Sequence, residues 1–303
     1  MSDWHGNQVP CRYYFEAAAG LKIDARQGRE TGSPAGQTRD QKGSAPLVVT
    51  ARWLMLRELV RRDLQSRYAG SLLGLFWSFL QPAWQLVLYS FVFGRVMKVA
   101  LVGERAQGFS LFLFAGLLPW LALSEGATRA ATAITDHAHL VRKLRFPSEL
   151  LVVSAVVTAL VHQGIAMAIF VTVLVALKAL SWLSLPWLVL ALFFQVTLTL
   201  GLGLLLASAN VFLRDIPQAL GMVFGAWFYL TPIVYPLSYV PERFRPLINA
   251  NPLTALVQLY RRAFFGGEGV PSGMPVLALC AIAALLLGWL AFRRLRSSFV
   301  DFI

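Results

Sequence analysis

A chain of 303 residues that is 57% hydrophobic and only 14% charged lies far from the composition of a soluble domain, and a mean hydropathy of +0.62 points the same way. Lys and Arg outnumber Asp and Glu by 27 to 15, but the basic residues stand in short segments between apolar runs, which is the pattern of membrane topology and not of a nucleic-acid surface. Cys11 falls in a polar stretch and Cys280 in an apolar one, so neither a disulfide framework nor a Cys-ligated metal site is expected.

Residues 1–46 scatter Gly20, Gly28, Gly32, Gly36 and Gly43 among Arg, Gln and Ser and show no sustained apolar period. They are expected to form a disordered cytoplasmic leader, because they cannot bury enough surface to offset the entropy of ordering. The apolar patch "AAAGL" is too short for the hydrophobic region of a secretory signal. From Leu47 to Tyr68 the spacing turns helical: Trp53, Leu56, Val60, Leu64 and Tyr68 share one face, while Arg57, Arg61, Arg62 and Arg67 lie mostly elsewhere. An amphipathic helix with a cationic side can lie in the plane of the cytoplasmic leaflet, its arginines near anionic headgroups.

Crossing a bilayer takes roughly 20 apolar residues. Six stretches of residues 47–303 meet that length: 72–94, 109–128, 148–177, 183–209, 216–235 and 274–292. With the N-terminus inside, the inner flanks carry Arg52 to Arg67, Arg129 to Arg145, Arg214 and Arg293 to Arg296, more basic residues than the outer loops hold. Trp182 and Trp187 then mark a tight outer turn at an interface.

The inner loop "RAATAITDHAHLVRKLRFP", residues 129–147, predicts a short helix begun near Asp136 and ended by Arg142, Lys143 and Arg145 before Phe146 and Pro147. Leu140, Val141 and Leu144 have no lipid to meet there, which suggests docking into a cytoplasmic partner. From the end of the fifth crossing onward the chain is broken by Pro232, Pro236, Pro241, Pro246 and Pro252, and the apolar pieces after residue 237 are too short to span. Short broken helices at membrane depth are tolerated where protein buries them or where they line a wet cavity, so two re-entrant gate helices are predicted, with Pro241, Pro246, Asn249, Pro252 and Leu256 in the outer gate.

At this point the residues resemble a family. "RRDLQSRYAGSLLGLFWSFLQP", "AHLVRKLRFPSELL", "RDIPQAL", "TPIVYPLSYVPERFR", "NPLTALVQLYR" and the closing "FRRLRSSFVDFI" occur in the order found in polysaccharide and polyol-phosphate export permeases. These are the transmembrane subunits of type-2 ABC exporters for O-antigen, capsule and teichoic acid, and the resemblance runs from about Leu47 to Ile303. It implies an all-α integral membrane fold of six transmembrane helices, with an N-terminal amphipathic interface helix, a cytoplasmic coupling helix ending at Pro147 and outer gate helices before the sixth crossing. It also implies a homodimer in the bacterial inner membrane, both termini cytoplasmic, bound to two copies of a separate ATPase that carries the ATP and Mg. No cofactor is expected on this chain, which lacks the G-x-x-x-x-G-K-[ST] phosphate cradle and should not hydrolyse ATP alone.

On the first span Trp77, Gln81, Trp84 and Leu88 recur at helical spacing, and on the fifth Phe224, Phe228, Thr231 and Tyr235 repeat the arrangement. Aromatic faces pack on the C–H faces of sugars without a fixed hydrogen-bond register, so these two rows are candidate walls of a translocation pathway. The coupling residues would be Leu140, Val141, Arg142, Lys143 and Leu144, and the headgroup-facing residues Arg57, Arg61, Arg62 and Arg67. Glu125 and Arg129, four apart, suit an interfacial ion pair, and His162 is expected to be neutral and packed, with no acid at ligand spacing near it. The leading function is ATP-driven export of a lipid-linked polysaccharide. Two alternatives stay open: a membrane transferase acting on polyprenyl-linked glycans, which would need a convergent acidic or His site in a loop, and a type-2 permease for a small lipid or drug.

Overall fold

In the computed structural model the described residues are 45–67, 76–89, 91–92, 96, 108–143, 147–267 and 269–303. The chain divides into two units, Met1–Met55 and Leu56–Ile303. Of the predicted leader only Ala45 and Pro46 are among the described residues, as the first turn of a helix α1, Ala45–Arg67. The same helix runs into the second unit, close to the 47–68 that periodicity predicts.

Among the described residues of the second unit, four helices are long and apolar enough to cross a membrane: α3 (Phe109–Asp136), α5 (Glu149–Ala176), α6 (Pro186–Phe212) and α10 (Met274–Leu295), the last continuing through a short turn into α11 (Phe299–Phe302). One of the two other predicted spans is described only in part, and the other is shorter than predicted. Of residues 72–94, 76–89 and 91–92 are described, with the helix α2 at Trp77–Tyr89. For 216–235 the helix α7 stops at Leu230 after 15 residues, because Thr231 turns extended ahead of Pro232, and so falls short of the roughly 20 needed to span.

The predicted inner loop also starts later than expected. Its first residues, Arg129 to Asp136, prolong α3, since Ala130, Ala131 and Ala133 are strong helix formers that bury against neighbouring helices. His137 then makes the break, and the short helix α4 covers Ala138–Lys143. Asp136 therefore ends a helix and does not begin one.

α3 is the central element. In its most apolar stretch 83% of residues are buried, against 22% in α5 and α10, most of whose surface stays open. It packs antiparallel to α5 and beside α6, and α6 packs along α10. The α6–α10 contact is made of backbone: a Cβ at Gly201 would collide with the main chain of Ala284 and Leu285, and one at Gly288 with the carbonyl of Gly201. Such close approach is how membrane helices associate when lipid removes the hydrophobic drive between them.

The end of the bundle where α3 begins and α5 finishes is called upper here, the opposite end lower. The main core fills the upper and middle part around Phe114, Phe170, Tyr260 and Phe264. A second cluster at the lower end joins Ile134, Leu151, Val211, Phe292 and Phe299. There Arg296 meets Glu149 at 3.2 Å, tying the chain's last turn to the start of α5.

Candidate functional site

From the middle of the bundle toward its lower end runs a chain of charges that spans three helices. Arg129 on α3 donates to Asp63 on α1 at 3.1 Å and lies 3.6 Å from Glu125, one turn back on its own helix. Glu125 in turn accepts from the Nδ1 of His162 on α5 at 3.0 Å. These side chains are only about a quarter exposed or less, 12% for His162 and 28% for Arg129. The Glu125–Arg129 pair is where spacing puts it. The expectation of a packed His162 without an acidic neighbour is corrected, for an acid 37 residues away in sequence is brought beside it. Asp63, 66 residues from Arg129, has no local signal at all.

On α1 the predicted division of faces is visible beyond Met55. Leu56, Val60 and Leu64 are half-buried, Leu59 packs against the lower cluster, and Arg57, Arg61 and Arg62 are exposed. Arg62 donates to Glu58 at 3.1 Å, a solvent-exposed pair that contributes about 0.3–0.5 kcal/mol. Arg67 is the last residue of the helix, and its side chain lies outside the description.

The short helix α4 presents a different surface from the one its sequence suggests. Leu140 and Val141 pack partly against the lower cluster, while His139 and Arg142 are exposed together with Asp136. Among the described side chains of α4 the apolar ones, Ala138, Leu140 and Val141, are half-buried and the two exposed ones are polar. Lys143 closes the helix and Leu144 lies outside the described residues.

The two aromatic rows fare unequally. On α2, Trp77 and Trp84 are exposed, at 43% and 63%, as is Leu88; the side chain of Gln81 is not described. On α7, Phe224 is buried against Trp120 of α3, edge to face at 5.9 Å, and Phe228 packs on the same indole at 5.6 Å. Thr231 is buried and donates to the carbonyl of Trp227 at 2.8 Å, while the Tyr235 hydroxyl donates to the carbonyl of Tyr229 at 3.0 Å. The open face of α7 lies a quarter-turn or more away and carries Met222 and Tyr229, 75% and 72% exposed. Spacing finds a row on a helix, but the tertiary partner decides which way the row points.

The proline-rich segment is organised by its prolines. Pro236 and Pro241 each precede a single 3-10 turn, Leu237–Tyr239 and Glu242–Phe244; Pro246 stands at the start of α8, Arg245–Asn249; and Pro252 opens α9, Pro252–Phe265. Proline suits the first helical turn, where its missing N–H has no partner to lose. Asn251 caps α9 by accepting from the Leu253 N–H at 3.0 Å, accepts from the Trp227 indole at 3.0 Å, and donates to Thr231 at 2.9 Å. That one amide joins the end of α7 to the start of α9.

α9 is 14 residues long, too short to cross, and lies among α3, α6 and α10 with Leu256 and Tyr260 fully enclosed. Pro241 and Pro246 are exposed and Asn249 is half-buried. The Tyr260 hydroxyl donates to Gln195 of α6 and accepts from Gln163 of α5 at 2.8 Å, and the two glutamines also bond to each other. One residue on, Arg261 donates to the carbonyls of Pro232 and Ile233, both at 2.8 Å, and sits over the Phe112 ring. A side chain at Gly116 would strike that guanidinium, its Cβ lying 2.9 Å from Nη2.

Among the described residues no three His, Cys, Asp or Glu side chains gather as metal ligands. The sequence profile of the family described as ABC-2 type transporter matches residues 55–265. The chain is 34% identical over 254 residues to the O-antigen export system permease protein RfbA of Myxococcus xanthus, covering 82% of this chain and 95% of that protein. It is 24% identical over 250 residues to the polysialic acid transport protein KpsM of Escherichia coli, with 81% and 93% covered. With the inner membrane transport permease YadH of Escherichia coli strain K12 it shares 28% over 230 residues, 70% and 86% of the two chains.

Proposed function

The chain belongs to the ABC-2 type transporter family, and on that premise we propose that it is the permease subunit of an exporter for a lipid-linked polysaccharide of the O-antigen or capsular class. A permease of this family is a transport subunit that works with a separate ATPase and is not itself catalytic. The observation that carries the substrate class is the alignment along 95% of a protein named for O-antigen export, supported by a second alignment along 93% of one named for polysialic acid transport.

In this reading α2 with the residues flanking it, and α7 together with the turn that follows it to Tyr235, complete six crossings, the lower end faces the cytoplasm with both termini, and the chain pairs with a second copy and two ATPase subunits. Residues 1–46 are a cytoplasmic leader and 47–303 the permease proper. Arg57, Arg61, Arg62 and Arg67 meet the anionic head of the substrate at the inner leaflet, where each arginine near an anionic surface contributes on the order of 1 kcal/mol. The α4 segment, Leu140 to Leu144, seats in the ATPase. Trp77, Gln81 and Trp84 on α2 line the pathway with α7, whose Phe224, Phe228, Thr231 and Tyr235 brace that wall from behind. Pro241, Pro246, Asn249, Pro252 and Leu256 belong to the outer gate.

Deleting the gene in its own host tests the assignment. Lipid-linked polymer should accumulate inside while surface polymer disappears, and both should be restored by the wild-type chain. Unchanged surface polymer would favour a small-lipid or drug permease, and loss of polymer synthesis without internal accumulation would favour a transferase.

A further inference from the structure

Pro232 cannot continue α7, and the turn that follows puts the carbonyls of Pro232 and Ile233 beyond the reach of its helical ladder. α9 supplies the donors. The Arg261 guanidinium gives Nη1 to the Pro232 carbonyl and Nη2 to that of Ile233, both at 2.8 Å, so one planar fork serves two successive carbonyls. Its Nε donates to the Phe112 carbonyl of α3 at 3.3 Å, and the group lies 3.4 Å from the centre of the Phe112 ring. Gly116, one turn further along α3, leaves the space, since a Cβ there would stand 2.9 Å from Nη2. At the other end of α9 Asn251 grips the same region, donating to Thr231 at 2.9 Å and accepting from Trp227 at 3.0 Å.

Two features make this a joint that can part. Among the described residues helix α7 packs on α3 and α6 but little on α9, so the turn is tied to α9 by polar side chains and not by a broad apolar interface. Pro232 and Arg261 also line an open cleft at the upper end, where water can replace each bond as it breaks. α9 by contrast is held in place: it lies among α3, α6 and α10, and the Tyr260 hydroxyl bonds it to Gln163 and Gln195. That makes α9 the post and the turn the part that moves.

We infer that Arg261 and Asn251 are positioning residues for export, a latch by which α9 holds the turn 231–235 and which must let go and reseat in each cycle. The inference rests on the export reading, in which α7 walls the pathway and the upper end is its exit. With the latch seated the turn lies against α9 and α3; with it released the outer end of α7 swings away and widens the exit.

Locking the latch separates this role from a merely structural one, which a permanent tie would not disturb. In a chain with Cys11→Ser and Cys280→Ala, Thr231→Cys and Asn251→Cys replace two side chains that touch, and oxidation or a short bis-thiosulfonate reagent ties them. In host cells carrying this chain, new surface polymer should stop appearing once the pair is tied and resume after reduction with dithiothreitol. Undiminished export by the fully tied chain would overturn the latch. If the two cysteines stop export before they are tied, release is read without transport, on Ile233→Cys in the full chain in lipid nanodiscs, at a position that is fully enclosed. Arg261→Met should raise its labelling by an impermeant maleimide about tenfold and Arg261→Lys by less, each read on the monodisperse fraction. A rate that Arg261→Met leaves unchanged would equally overturn the assignment. Export by the wild-type chain in the same host is read separately: its absence sinks the export reading, whereas a wild-type exporter whose tied variant still exports sinks the latch alone.

Discussion

At the scale of single residues the most consequential group is Arg129, which answers two carboxylates from two helices, Asp63 and Glu125. Replacing it by leucine keeps the helix propensity and takes one positive charge away from two partly buried acids. Arg129→Leu should therefore lower stability by about 1–3 kcal/mol, measured as thermal or denaturant unfolding in detergent. Adding Asp63→Asn should recover part of that loss. If the double variant is as unstable as the sum of the singles, the two side chains do not interact and the link between α1 and α3 is of another kind. The pair of arginines on α9 shows the same principle from the other side. Arg261 and Arg262 are adjacent in sequence, yet one is bound up in backbone carbonyls and the other stacks on an indole, so neighbouring guanidinium groups perform unrelated tasks.

At the scale of elements, α4 and α9 carry the testable content. Because His139 and Arg142 are the exposed residues among the described side chains of α4, His139→Asp with Arg142→Glu should reduce co-purification of the ATPase while the permease stays folded. Leu140→Asp instead places a charge against the lower cluster and should reduce the yield of folded protein itself. If the first variant binds ATPase at the wild-type level, α4 is not the docking element. For α9, Leu256→Cys in a chain lacking Cys11 and Cys280 should be shielded from an impermeant maleimide, since Leu256 is fully enclosed, while Asn249→Cys should react. Tyr260→Phe removes the hydroxyl that joins α9 to α5 and α6, at a cost of about 1 kcal/mol, and should raise the reactivity of Leu256→Cys. Reactivity that Tyr260→Phe leaves unchanged would show that the hydroxyl does not hold α9 in place. Much of this was legible in the sequence: the long helices, the amphipathic α1, the broken helices that begin at Pro246 and Pro252. What was not legible depends on partners distant in the chain. The prolongation of α3 to Asp136 needs α5 and α6 to bury its alanines, and Trp120 turns Phe224 and Phe228 inward. His162 likewise finds Glu125 only through the antiparallel packing of α3 and α5.

At the scale of the whole molecule, the close approach at Gly201 and Gly288 brings the backbones of α6 and α10 together. Gly201→Leu has no room for its side chain, so the two helices must separate, and the expected outcome is loss of the monodisperse species on size exclusion in detergent. A monodisperse, export-competent Gly201→Leu protein would show that the helices can part without harm. The position of α9 among α3, α6 and α10 has a further consequence, for the order in which the protein is made. During synthesis α3 and α6 enter the bilayer well before α10 exists, and α9 is too short and too basic at its end, with Arg261 and Arg262, to be inserted as a span of its own. It must wait outside the lipid until the last helix emerges and closes its berth. A chain stopped by a nonsense codon at residue 272 should therefore keep its earlier helices in the membrane and yet expose residues 252–265 to protease, so that assembly is completed only from the C-terminus backwards.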